Sequence, residues 1–414
     1  MRGVLKTAFN FLLGSGINYL VSFLVLTLLL RYSSQQEYGH FAIAQSVVFW
    51  LMPVVQMAMN ITAVAQLNRS SQDVDVVQQV IVLRMGALFF VLILMGAFGW
   101  MLQPQQQVLM WAFFPLLLAN ALQLDYYAIA RQKAGLLARS QVLYALLYGI
   151  GVVVVVTWHL PLWWIPLING LSMLCAVVWQ WHGFLPQMVG QWNMNLMPGV
   201  LKVLLGQSAL NTFANFIQLG YYTIDLLLLD RLGPHIAGLT GQYAATSRLT
   251  QVAVMPIVAI LNTLMPRIVQ AYHDGDSQKR HRLFRAYLVA SWGVGLVGAL
   301  GLFFLGTPVL AWISDKEVQH AAQVFPVFAV LYLFIGLHSP FSSVLAFMGQ
   351  EKAYLLCNAL AFVVNAAACM LLIPRYGAVG AALSILLGIL TLTLVSMWIY
   401  FRHRRKGEVK LEAF

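Results

Sequence analysis

Six polar side chains, Ser208, Asn211, Asn215, Gln218, Tyr222 and Asp225, recur at steps of three and four inside one apolar stretch of this chain. Those steps return to a single face of an α-helix. One or two such residues serve as hydrogen-bonding glue between packed helices, whereas a row ending in a carboxylate predicts a wetted cavity. The next apolar stretch opens with GQYAATSR (241–248), which places Arg248 inside a hydrophobic run, with Gln251 on the same face. A guanidinium keeps its proton and presents a planar fork of donors, chemistry suited to phosphate. The amides offer donors and acceptors to whatever polar groups enter such a cavity. Asn18, Gln45 and Gln56 extend the same inventory, and Arg31 ends the first apolar stretch, where it can simply snorkel. Two carboxylates, Asp225 and Asp125, also fall within apolar runs, where a lone charge costs about 2.5–3.5 kcal/mol. Each is therefore either a neutralised structural group or an ion-coupling or gating site. Arg248 is a candidate partner for Asp225, and Arg131 or Lys133 for Asp125.

Positioning these groups falls to a membrane-embedded scaffold. Of the 414 residues, 61% are hydrophobic and 9% charged, far below the roughly 25% charged that a soluble domain carries. Apolar runs of about 20 residues, the length that crosses a ~30 Å hydrocarbon core, recur from end to end. Twelve spans are expected at 6–30, 39–66, 80–102, 108–130, 138–156, 162–181, 199–229, 240–270, 284–306, 321–348, 352–373 and 377–401. The runs lack period-two alternation and are too long for barrel strands. The first follows Arg2 and Lys6 without a small-residue cleavage site and reads as a retained helix. Nineteen of the 24 basic residues fall in alternate, inner segments, among them Arg69 and Arg84; four (Arg31, Arg231, Lys316, Arg375) fall outside, and Arg248 lies within a span. That bias predicts both termini in the cytoplasm. The net charge of +11 is thus a topology signal; no basic stripe interleaved with aromatics suggests nucleic acid. The tail RHRRKGEVK is expected to rest near anionic membrane lipids. Cys175, Cys357 and Cys369 all lie within expected spans at spacings that fit no metal site or disulfide framework. No cofactor motif is present, and the histidines form no metal pattern.

The chain also repeats itself. GHFAIAQS (39–46) echoes GQYAATSR 202 residues on, and QKAGLL (132–137) echoes EKAYLL (351–356) after 219. The echoes occur in the same order at matching places, six spans apart. This predicts two parallel six-span lobes, a transporter architecture: an N-terminal lobe at 1–182, a linker at 183–198 rich in glycine and proline, a C-terminal lobe at 199–401 and a basic cytoplasmic tail at 402–414. The polar faces of spans one, two, seven and eight are expected to line a cavity between the lobes.

The stretches DLLLLDRLGPHIAGLTGQYAATSRL, FMGQEKAY, LLIPRYGAVGAALSILLG and LLLRYSSQQEYGHFAIAQS together resemble the polysaccharide-flippase branch of the MOP (multidrug, oligosaccharidyl-lipid, polysaccharide) exporter superfamily. The likeness spans nearly the whole chain, and the element I-P-x-Y-G-x-x-G-A-A at 373–382 is its most specific piece. The resemblance implies an all-α, MATE-like fold of twelve transmembrane helices in two pseudo-symmetric lobes working by alternating access. It also implies a bacterial inner-membrane location and an O-antigen-type oligosaccharide on undecaprenyl diphosphate as cargo. Arg248 matches a position where such proteins often carry a cavity cation. Drug-exporting relatives tend to keep an acid in the first span, and this first span has none. Proton exchange through Asp225 or Asp125, and association with polymerase and chain-length proteins of the same pathway, are further expectations.

Two rivals belong to other classes. A membrane glycan polymerase would need catalytic groups on a sizeable outer loop, and the longest outer loop here is short, with only Asp315 and Glu317 as acids. A multidrug or small-cation exporter on the same fold is the stronger rival.

Overall fold

A chain crossing hydrocarbon must satisfy its own backbone hydrogen bonds, and an apolar run of twenty residues does so as an α-helix. The computed structural model describes residues 20–69, 73–131, 133–188, 198–274, 276–347 and 350–406, and among these no strand occurs. The helices are α1 (Leu20–Tyr32), α2 (Gln35–Gln56), α3 (Met59–Arg69), α4 (Asp73–Gly99), α5 (Pro104–Ala112), α6 (Phe114–Leu122) and α7 (Asp125–Ala130). They continue as α8 (Ala134–Thr157), α9 (Trp164–Met188), α10 (Pro198–Tyr221), α11 (Ile224–Leu232), α12 (Leu239–His273), α13 (Ser277–Ser314), α14 (Gln319–Phe347) and α15 (Glu351–Lys406).

Among the described residues nine helical segments are long and apolar enough to cross a membrane. One of them, Lys352–Arg402, is two spans. A straight helix over the 56 residues of α15 would measure about 84 Å, against a ~30 Å hydrocarbon core. Pro374 removes a backbone donor, and Gly377 sits at φ 54°, ψ −127°, a conformation that a side chain would strain. A Cβ on Gly380 would lie 2.3 Å from the carbonyl oxygen of Leu372, whereas a straight helix separates those residues by about 12 Å. The chain therefore doubles back at the proline–glycine element. With α1 and the α10–α11 pair added, the helices accommodate the twelve expected spans.

Three spans expected as continuous are broken. Span two bends at Met57 and Ala58, which adopt φ 52° and 48°. Span four breaks at Phe113 and again at Gln123, whose ψ of 136° is extended. Span seven breaks between Tyr221 and Ile224. Elsewhere the helices overrun the expected ends: α13 begins at Ser277, where the Asp276 carboxylate accepts the Lys279 N–H at 2.9 Å as an N-cap.

The chain divides into two compact units, 1–33 with 40–216, and 34–39 with 217–414. In the first, α9 packs on α6 and α8, and α4 on α3 and α6. Its core gathers Met59, Leu67, Val77, Tyr126, Phe184 and Leu204, all nearly inaccessible. In the second, α13, α14 and α15 pack in sequence, with α12 against α13 and α14 and α11 against α15. The 34–39 segment joins that second unit through the two echoed glycines. A Cβ on Gly39 would stand 3.1 Å from the Gly241 nitrogen, and one on Gly241 would stand 1.8 Å from the Gln35 carbonyl oxygen. Only two glycines permit backbones to approach so closely.

Candidate functional site

The octapeptide that carries Arg248 is mostly structural. Gly241 makes the close crossing just described. Gln242 Oε1 accepts the backbone N–H groups of His320 (3.0 Å) and Ala321 (3.2 Å) in the first turn of α14, while its Nε2 donates to Gln35 Oε1 at 3.0 Å. Such groups have no partner inside their own helix, and a side-chain oxygen supplies one. The phenol of Tyr243 donates to Asp225 Oδ2, and Thr246 returns its hydroxyl to the Gln242 carbonyl at 2.8 Å. Arg248 follows, half-buried, and its Nη1 donates to Gln251 Oε1 at 3.0 Å.

The stripe on span seven is real only as far as Gln218. Ser208 is fully buried, Asn211, Asn215 and Gln218 are half-buried, and Tyr222 falls in the turn between α10 and α11. Asp225 thus belongs to the first turn of α11, with 2% of its surface exposed. The break frees the Tyr221 carbonyl, which the side-chain amide of Asn365 on α15 takes up at 2.7 Å. Cys369, one turn on, donates to Asn365 Oδ1 at 3.4 Å. Gln218 accepts the phenol of Tyr354 at 2.9 Å. The second unit therefore holds Gln218, Tyr222, Asp225, Arg248 and Gln251. The partner it gives Asp225 is Tyr243, where Arg248 was the sequence's candidate.

In the first unit lie Asn211, Asn215, Arg31, Gln45, Gln56 and Asp125. Arg31 is exposed at the end of α1, and Gln45 is half-buried on α2. Asn18 lies outside the described residues. Gln56 Nε2 donates to Asn120 Oδ1 at 2.8 Å, which ties the end of α2 to α6. Asp125 opens α7, and its carboxylate accepts Gln123 Nε2 and, at 2.9 Å, Gln180 Nε2. Neither expected cation neutralises it. Arg131 pairs with Asp73, its Nε donating at 2.7 Å, and that carboxylate holds the guanidinium more firmly protonated than usual. Lys133 stands over the Phe184 ring, 4.9 Å from its centroid.

Sequence reasoning missed one residue. Arg84 counted as an inner-segment charge, but α4 begins at Asp73, and Arg84 is a buried side chain well inside a membrane span. Its Nε donates to the Gln56 carbonyl at 3.2 Å and its Nη1 to the Gln123 carbonyl at 2.8 Å. Its guanidinium carbon lies 5.0 Å from the centroid of the Tyr126 ring, a cation–π distance. The available signal was its place four residues inside an apolar run.

The MatE family model matches residues 212–371. A search of curated proteins returns no match. Among solved structures, an inward-facing multidrug-resistance MATE family transporter of the MOP superfamily is 12% identical with a TM-score of 0.72, covering 95% of this chain and all of its own. Lipid II flippase MurJ in an inward closed conformation is 13% identical at a TM-score of 0.75, covering 94% of this chain and 87% of that one. A MOP superfamily transporter from Pyrococcus furiosus, described as having a binding pocket of reversed polarity, is 11% identical at 0.69, over 98% and 96%. These likenesses show the fold: an all-helical, multi-pass membrane protein built as the MOP transporters are.

Proposed function

We propose that this chain is a flippase of the bacterial inner membrane. It moves an undecaprenyl-diphosphate-linked oligosaccharide, an O-antigen or related repeat unit, from the cytoplasmic to the periplasmic leaflet by alternating access. It carries out no covalent chemistry. Its architecture is an N-terminal lobe at 1–182, a linker at 183–198, a C-terminal lobe at 199–401 and a cytoplasmic tail, with both termini inside. The observation that carries this reading is a half-buried arginine within a membrane helix, Arg248, whose Nη1 donates to the Gln251 side-chain amide on the same helix face. A guanidinium keeps its charge inside a span, and its planar fork of donors matches a phosphorylated headgroup. Asn211, Asn215, Gln218, Tyr222, Gln251, Asn18, Gln45, Gln56 and Arg31 supply contacts to cargo. The isoprenoid tail stays in lipid. Asp225 and Asp125 are the candidates for ion coupling, the ion being a proton, and polymerase and chain-length proteins are the pathway partners.

Deletion of the gene followed by analysis of lipid-linked glycans tests this. One repeat-unit species should accumulate on the cytoplasmic leaflet. R248A should reproduce that accumulation and R248K should relieve it in part; R248A with wild-type activity would remove the site assignment. The multidrug-exporter reading draws on the buried Asp225 and on the MATE likeness. An unchanged glycan pool in the deletion strain, together with heightened drug sensitivity, would favour it.

A further inference from the structure

Backbone groups freed inside a membrane have no water to turn to, so a broken span needs side chains aimed at its break. Span four shows a full set. At the α6–α7 break the Leu122 carbonyl accepts the Trp181 indole N–H at 3.0 Å, the Gln123 carbonyl accepts Arg84 Nη1 at 2.8 Å, and the Leu124 N–H donates to Gln180 Oε1 at 3.1 Å. Gln180 is itself fixed by Ser140 Oγ at 3.0 Å and by Asp125. At the α2–α3 break the left-handed Met57 and Ala58 end the helix. The Gln56 carbonyl then accepts Arg84 Nε at 3.2 Å.

One guanidinium thus serves two breaks in two different spans, and its planar fork fixes the angle between them. We infer that Arg84 is a positioning residue that couples the joints of spans two and four, so that the two open and close as one. Neither carbonyl can leave the fork without reorienting the group that holds the other. A buried, charged donor is also too costly to strand, so partial opening is disfavoured. The inference rests on the transport reading only for its purpose, since alternating access needs joints that move in step.

Amide hydrogen exchange on the full chain, in nanodiscs of phosphatidylethanolamine and phosphatidylglycerol, tests the coupling without any cargo. R84Q should raise exchange about tenfold or more in both 57–61 and 123–128, each segment losing a charge-assisted hydrogen bond. Exchange in 140–157 should stay as in the wild type. Q180L should loosen 123–128 alone. Should R84Q not fold, R84K decides by the same measurement: its ammonium keeps the charge but cannot fork, and both segments should still exchange several-fold faster. Acceleration of one segment only, of neither, or of 140–157 by the same factor overturns the inference, as does wild-type exchange in R84K. Since no cargo is present, a failed flippase test leaves this result standing, and the reverse also holds.

Discussion

Span four and span seven solve the same problem in two ways. Each is interrupted within the membrane, and each restarts with a carboxylate in the first turn of the next helix, Asp125 on α7 and Asp225 on α11. Each frees a carbonyl that a side chain from another helix takes up. In span four that side chain is a charged arginine, with Gln180 and Trp181 completing the set. In span seven it is the neutral Asn365. The carboxylates differ in the same direction. Asp125 takes two amides in a neighbourhood that already holds the Arg84 cation. Asp225 takes the phenol of Tyr243 and is the more deeply buried. A break stabilised by a fixed charge shared with a second break is a joint tied to its neighbour. One stabilised by neutral donors around a buried acid is where taking up or losing a cation changes most, since removing a charge from such a site relieves its whole desolvation cost.

That contrast can be broken at either end. The largest effect expected is on coupling: under the proposed proton-coupled flippase reading, D225N should abolish the dependence of translocation on the proton gradient, and D125N should leave it. The reverse result would exchange the two roles; flux measured with and without a collapsed gradient reads it. Next is stability. R84L strands two carbonyls and should cost about 3–6 kcal/mol in a denaturant titration of the purified protein, at about 1.5–3 kcal/mol per charge-assisted bond. N365L strands one carbonyl from a neutral donor and should cost about 1–3 kcal/mol on the same scale. Equal losses would show that charge at the first break adds nothing. The smallest pair concerns the echoed glycines. G241A must push a methyl into the Gln35 backbone and should cost about 1–3 kcal/mol, while G39A meets its neighbour at 3.1 Å and should cost less. A thermal melt of the two variants side by side gives the order.

The spans were legible because long apolar runs in lipid leave the backbone no alternative to helix. The reversal at Pro374 and Gly377 was legible for a local reason, a missing donor followed by a residue that tolerates positive φ. The other breaks were not. Met57–Ala58, Gln123–Leu124 and Tyr222–Thr223 contain neither glycine nor proline, and Pro53 lies inside a helix that continues past it; at the Phe113 break alone a proline, Pro115, stands in the first turn of the helix that follows. What creates those breaks is a set of partners more than 25 residues away, Arg84, Gln180, Trp181 and Asn365, which no local pattern announces. The same distance hid Arg84. Hydropathy places the span where it is most apolar, and the arginine then looks like an end charge. The helix in fact starts at Asp73, seven residues earlier than the apolar run. The stripe on span seven erred in the opposite sense, since its spacing assumed one unbroken helix through Tyr222.

The doubling back at Gly377 has a consequence for how the chain is made. With Leu372 against Gly380, the last two crossings share no linker that could wait in water while its partner is threaded. So tight a turn favours entry of both crossings together as a hairpin, and a flexible insertion after residue 377 should let the eleventh integrate ahead of the twelfth.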